Sequence, residues 1–352
     1  MRIKKETLRG YILEEVVARL IRNAGYRLLV NPNQDLDSLS WERHGLVVHG
    51  RGAKHQADVL GQLSWIPAFT YPLRLSVEAK FRSQRTGLPI LRDAVGKLLD
   101  VNQYNIPRAI QAGVPLHQKY QYVSAIFSTS GFTEPAVDMA FAHGISLIDL
   151  GTPNFDAVRQ AVDASANSLV ERFSGPEPDE ETRRGDFIRN LRYALRQGLH
   201  TTTGELLEQN GELQAAITES IEQTLTATNQ ANELFVGMAN GPFMLALQPD
   251  NPDDFLEYAR ENPTHAIHIS WSRADNDGRT WRLWPLNQPD VYRLSFNLPE
   301  TLSEWIFSAE NVTQAALNVK EQFFSDIMIY RKDPDRDLLI RLQFDKQNIA
   351  HN

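Results

Sequence analysis

Apolar residues recur at three- and four-residue steps through Leu8, Ile12, Leu13, Val16, Val17, Leu20 and Ile21, and Gly25 follows them. That spacing lines one face of a helix over 6–24, with the glycine as its stop. Beyond it the period shortens. The runs at 26–30 (YRLLV), 44–50 (HGLVVHG), 55–63 (HQADVLGQL) and 73–82 (LRLSVEAKFR) are strand-like. A loop with two prolines over 64–72 precedes the last of these. A helix over 88–104, a β-rich run over 120–129, a capped helix ending at Gly144, a strand over 145–150 and a helix over 154–173 follow. Strands and helices alternate, which predicts an α/β unit on a mixed sheet flanked by helices.

Proline, glycine and charge crowd residues 174–186, the best candidate for a linker. A long helical region over 182–235 comes next. Its stripe of Leu206, Leu213, Ile217, Ile221 and Leu225 suits a packed surface or a dimer interface better than a cofactor site. From 242 short strands return, with helices over 252–261 and 311–325 between some of them. RADNDGR (273–279) and KDPDRD (332–337) read as hairpin turns. The expected organisation is a first unit over 1–175, a helical linker and candidate dimerisation segment over 176–240, and an α+β domain for recognition or regulation over 241–352.

Composition narrows the function classes. Of 352 residues, 42% are hydrophobic and 23% charged, ordinary for a globular protein of two domains. The absence of cysteine excludes disulfides, thiolate metal sites and cysteine nucleophiles, and suits a reducing cytosol. The basic opening has no apolar run behind it, so no signal peptide is expected, and no apolar stretch reaches membrane-spanning length. The expectation is a soluble, cytoplasmic protein with no membrane partner. The net charge of -8 is uneven. Residues 1–175 carry 20 Lys+Arg against 16 Asp+Glu, and the remainder 16 against 28. A polyanion would prefer the first half.

The chemistry gathers at Glu78 and Lys80. Strand residues two apart share a face, so these two point the same way from an otherwise apolar strand. Alone, such a pair reads as a cross-strand ion pair. Asp58 gives it company, at the centre of the apolar run 55–63. If that run pairs with 73–81 as a hairpin, Asp58 lies beside Glu78. Glu14 adds a third carboxylate, next to core-facing Leu13 and Val17, with Glu15 competing for its role. Neighbouring carboxylates repel and burial adds to the cost. A divalent cation removes both penalties, and Mg²⁺, with Mn²⁺ as a substitute, takes such hard oxygen ligands. A lysine beside them can steady an attacking water or the charge developing on phosphorus, as metal-assisted phosphodiester hydrolysis requires.

This order of residues resembles the PD-(D/E)xK nuclease superfamily, and within it the Mrr-like (type IV-like) restriction endonuclease branch, over about residues 8–150. GYILEEVVARLIRNAGY (10–26) resembles that branch's opening helix, and AIFSTSGFTEPAVDMAFAHGISLIDL (125–150) its later strand, turn, helix and final strand. The resemblance implies a restriction-endonuclease-like fold, with Asp58, Glu78 and Glu14 as metal ligands and Lys80 completing the catalytic set. Its further implications are DNA as substrate, a role in restriction or other defence against invading DNA, and a dimer. The segment GRGAKHQAD departs from the branch's Gly-rich, Asp-containing approach to its aspartate, and the 61–72 loop is long. Gln56, two before Asp58, is expected to face the same way and hold water or phosphate. Arg82 and Arg85, with Arg92 and Lys97, read either as a phosphate-contacting surface or as a solvated helix face. His44, His49 and His55 follow no ligand spacing and read as polar loop histidines. Trp281 and Trp284, three apart, fall on opposite strand faces, so at least one belongs to the core. Two alternatives stay open: a non-catalytic nucleic-acid-binding or assembly module that keeps the nuclease fold, and a repair or recombination nuclease.

Overall fold

The computed structural model describes residues 4–42, 45–66, 69–104, 118–173, 180–199, 211–230, 235–240, 244–271, 280–298, 300–332 and 337–345. The chain opens with α1 (Lys5–Asn23), β1 (Tyr26–Leu28), β2 (Leu39–Glu42), β3 (Gly45–His49), β4 (Lys54–Gln56), β5 (Val59–Leu63) and β6 (Leu73–Lys80). It continues through α2 (Leu88–Asn102), β7 (Gln121–Ser128), α3 (Glu134–His143), β8 (Ser146–Asp149) and α4 (Asp156–Phe173). Five of these strands form a mixed sheet in the order β1-β5-β6-β7-β8. The β1–β5 and β5–β6 pairs are antiparallel; β6–β7 and β7–β8 are parallel. A separate antiparallel sheet, β2-β3-β4, leads into β5.

Both faces of the mixed sheet are covered, and side-chain alternation along β7 shows how. Ala125 and Phe127 pack with Leu13, Val17 and Ile21 of α1, whereas Ile126 packs with Leu91 and Val95 of α2 and Ala136 of α3. α3 ends at Gly144, whose φ of 63° is the left-handed conformation that a glycine tolerates best.

Within the helical region the described residues form α5 (Glu180–Leu199) and α6 (Gly211–Gln230). The centre of its stripe is engaged within the chain itself. Ile217 and Ile221 are fully buried within the chain, against Leu8, Ile12 and Val16 of α1, Val162 and Leu169 of α4, and Phe187 and Leu191 of α5. Leu206 and linker residues 174–179 lie outside the described residues. The helix α1 is therefore apolar on two sides, one for the sheet and one for α4–α6.

The C-terminal strands close into a seven-stranded barrel, which the pattern of short strands alone does not reveal. Its strands are β9 (Phe235–Met238), β10 (Met244–Pro249), β11 (Thr264–Trp271), β12 (Thr280–Pro285), β13 (Leu294–Asn297), β14 (Asp326–Lys332) and β15 (Asp337–Gln343). Helices α7 (Pro252–Glu261), α8 (Glu300–Ser308) and α9 (Val312–Phe323) lie between them in sequence. The barrel thus starts inside the segment read as helical. Along β15, Leu338, Ile340 and Leu342 are buried, while Asp337, Leu339 and Arg341 face out. Trp281 is buried and Trp284 half-buried, on opposite faces of β12. Both expected hairpin turns fall largely outside the described residues. Among the described residues no helix is long and apolar enough to cross a membrane.

Candidate active site

The run 55–63 is not one strand. It breaks at Ala57 and Asp58, where the chain leaves the small sheet and enters the large one. Asp58 therefore stands at the entry to β5, not at a strand centre. Its own N–H donates to the Val77 carbonyl at 3.0 Å. Its Oδ2 accepts the Ala79 N–H at 2.8 Å, so the side chain extends the ladder where the backbone turns away. Val59 pairs with Val77, and continuing that register sets Asp58 opposite Glu78, on one face.

The three residues expected to meet do so. The Lys80 ammonium donates to Glu78 Oε2 at 2.7 Å and to Asp58 Oδ2 at 3.2 Å. Burial acts to lower the Lys80 pKa, but the charges of Asp58 and Glu78 and their hydrogen bonds outweigh it, so the group is held above its ordinary value. Lys97 on α2 joins them, donating to Glu78 Oε1 at 2.8 Å and to Asp93 one helical turn back at 2.8 Å. Its ammonium is partly buried and shared between two carboxylates. The i,i+4 spacing of Asp93 and Lys97 was legible; the reach to Glu78 was not.

Glu14 and Glu15 both point into an arginine pair from α5. Arg192 contacts Glu14 Oε2 and donates to Glu15 Oε1 at 2.8 Å. Arg196 grips Glu15 with two bonds of 2.9 Å. Glu15 is buried, which acts to raise its pKa, yet the charges of Arg196 and Arg192 and their hydrogen bonds hold it below its ordinary value. Burial raises Glu14 to about 7; Arg192 opposes the rise, while the negative charges of Asp58 and Glu15 add to it. The charge of Asp58 is thus among those that act on Glu14.

The other expected contacts scatter. Gln56 belongs to β4 of the small sheet, opposite Val47, so the two-residue alternation does not carry from it to Asp58. Arg82 is exposed just past β6. Arg85 reaches Glu304 of α8 at 3.2 Å. His49 and His55 are strand residues with defined partners, His49 against Ser40 and the Asp37 carbonyl, His55 against Asp100 at 2.7 Å; His44 lies outside the described residues.

The electrostatics also differ from expectation. Glu14, Glu15, Asp58 and Glu78 each contact a cation supplied by Arg192, Arg196, Lys80 or Lys97. Repulsion between Asp58 and Glu78 is thus already offset by lysine, and relief of it is no argument for a metal. The donor chemistry still fits one. Two carboxylates converge on a single cationic group, and hard oxygen donors are what Mg²⁺ and Mn²⁺ take. Among the described residues no cluster of three or more His, Asp or Glu is arranged to hold a metal ion.

No family model matches the chain, and no curated protein matches it. Among solved structures it is similar to AF1548, a protein of unknown function, at 17% identity over 62% of this chain and 97% of that one. The TM-score of 0.33 is too low to carry an argument about fold or function.

Proposed function

We propose that the chain is a metal-dependent endonuclease of the PD-(D/E)xK type, Mrr-like, cleaving phosphodiester bonds of DNA in restriction or defence against invading DNA. The observation that carries this reading is the meeting of Asp58, Glu78 and Lys80 at one end of the β5–β6 hairpin. In this reading the mixed sheet and its covering helices form a restriction-endonuclease-like core. Asp58 and Glu78, with Glu14, would hold Mg²⁺, which supplies Lewis-acid polarisation of a phosphate and a more acidic water when bound. The Ala79 N–H fixes the Asp58 carboxylate. Lys80 stays cationic through the neutral range, suited to orienting a water or balancing charge on a phosphate oxygen. The basic excess of residues 1–175 favours a polyanion on this half.

A second reading is favoured by a specific observation, the pairing of each carboxylate with its own cation. Such a network also suits a binding or assembly module with no chemistry. Incubation of the purified chain with plasmid, linear and single-stranded DNA, with Mg²⁺ or with EDTA, separates the two. Cleavage that needs Mg²⁺ and is lost in Lys80→Ala and Asp58→Asn supports the nuclease. Binding without cleavage in any divalent cation supports the module.

A further inference from the structure

The outer face of β11, β12 and β13 stands apart from the acidic half that contains it. Residues 176–352 carry 16 Lys+Arg against 28 Asp+Glu, yet these three strands contain no Asp or Glu. Trp281, Leu283, Leu294 and Phe296 are buried in the barrel core, so the alternate residues line its outside. There His268 pairs with Trp284, Ser270 with Arg282, and Arg282 with Ser295. The His268 and Trp284 rings lie 4.7 Å apart, inclined at 32°. The Arg293 guanidinium, just before β13, stands 6.0 Å from the Trp284 ring centroid, held by the Pro289 carbonyl at 3.2 Å and by Asp290 at 3.9 Å. Burial and the charge of Lys320 hold His268 below its ordinary pKa, so in the neutral range it is a ring rather than a cation. Trp284 is half-buried, and Arg282 and Arg293 are exposed. The face also adjoins the mixed sheet. Lys80, Ser128 and Asp149 stand level across β6, β7 and β8. Just beyond β8, Asn154 accepts from Asn297 of β13 at 2.8 Å, and Asn297 accepts from Thr280 of β12 at 3.1 Å.

We propose that this outer face is a binding platform for single-stranded nucleic acid, with an unpaired base stacked on Trp284 and backbone phosphates on Arg282 and Arg293. An aromatic ring beside guanidinium groups, on strands free of carboxylates, takes the π-face of a base and the charge of a phosphate together. A duplex suits it poorly, because its bases are already stacked on one another. Nothing in the platform depends on cleavage at Glu78 and Lys80, so this reading and the nuclease reading fail separately.

The test is fluorescence anisotropy of the full chain with labelled oligo-dT, oligo-rU and duplex DNA, in EDTA so that Mg²⁺-dependent cleavage is silent. Wild type should bind the single strands more tightly than the duplex, and the two single strands show which sugar is preferred. Trp284→Leu should weaken single-strand binding about tenfold, and Trp284→Phe, which keeps a ring, by less. Arg282→Gln should reduce the slope of log affinity against log salt by about 0.7. Trp305→Leu, at an exposed tryptophan on α8, should bind as wild type does. If Trp284→Leu does not fold, Arg282→Glu at its exposed position carries the test, with a larger loss expected than for Arg282→Gln and wild-type binding overturning the proposal. A folded Trp284→Leu protein that binds like wild type overturns it too, as does a wild type that binds no single strand or binds duplex as tightly. So do equal losses in Trp284→Leu and Trp305→Leu, or full competition by polyglutamate, which offers negative charge without bases.

Discussion

Lys320 shows how far a single side chain can be placed out of its element. Its ammonium donates to the Ile269 carbonyl at 2.6 Å and lies 5.6 Å and 5.8 Å from the Trp281 and Phe344 ring centroids. Burial lowers its pKa to about 8. The folded state thus binds this proton less tightly than the unfolded state does. The resulting cost is fully present below about pH 8 and disappears as pH rises towards the unfolded value near 10.5. Screening at this partly exposed position reduces it to about 1 to 2 kcal/mol. Urea denaturation should show the stability difference between Lys320→Met and wild type moving in favour of wild type by that amount between pH 7 and pH 10.5; a flat difference would sink the assignment. At Asp58 the same reasoning uses hydrogen bonds. Asn can still accept the Ala79 N–H, whereas Asp58→Ala leaves it unmet, so the alanine variant should be less stable than the asparagine one by about 1 to 3 kcal/mol. Equal urea midpoints for the two variants would contradict it. Asp58, Glu78 and Lys80 were legible in sequence because strand alternation and a short hairpin are local rules. The reach of Lys97 to Glu78 was not, because it depends on how α2 packs against the sheet, and the contacts of Arg192 were not, because a helix distant in sequence brings it in.

Elements with strong periodicity were legible almost to their ends, α1 and α4 most clearly, because one apolar stripe and a stop signal suffice to define a helix. The break at Ala57 and Asp58 was not, since the apolar run continues through it and only the pairing of two different sheets interrupts it. Stop signals can be tested directly. Nothing lies within 4 Å of where a Cβ would project from Gly144, so substitution there meets only the backbone cost of a left-handed residue. Gly144→Ala should lower stability by about 1 kcal/mol, and Gly144→Asn by less; differential scanning calorimetry that ranks them the other way would show that the cap matters for another reason. On α6, Ile221→Ala should cost about 2 to 5 kcal/mol. A surface stripe awaiting a second copy would give a loss that depends on protein concentration, and the buried position predicts a loss that does not.

At the scale of the whole chain, the pattern of hydrophobic runs marks the two halves but not what joins them. One apolar cluster runs from α2 and α3 into the barrel, Arg85 bridges to Glu304, and the Tyr330 ring of β14 fills the space a Cβ on Gly25 would need. Such contacts carry no local signature. They also bear on the expected first unit over 1–175. A 1–175 fragment uncovers Leu8, Ile12 and Val16 on α1 and leaves Glu14 and Glu15 without their arginines. Circular dichroism should show it melting well below the full chain, and matching melting curves would mean that α5 and α6 contribute little. The arginine contact has a consequence in time as well. Asp58 and Lys80 are 22 residues apart, whereas Glu14 and Arg192 are 178 apart. At synthesis rates of about 5–20 residues per second, the ribosome makes the hairpin on the order of ten seconds before it makes Arg192. Every newborn chain thus passes through an interval in which its carboxylates are assembled and their last counter-charge has yet to be translated.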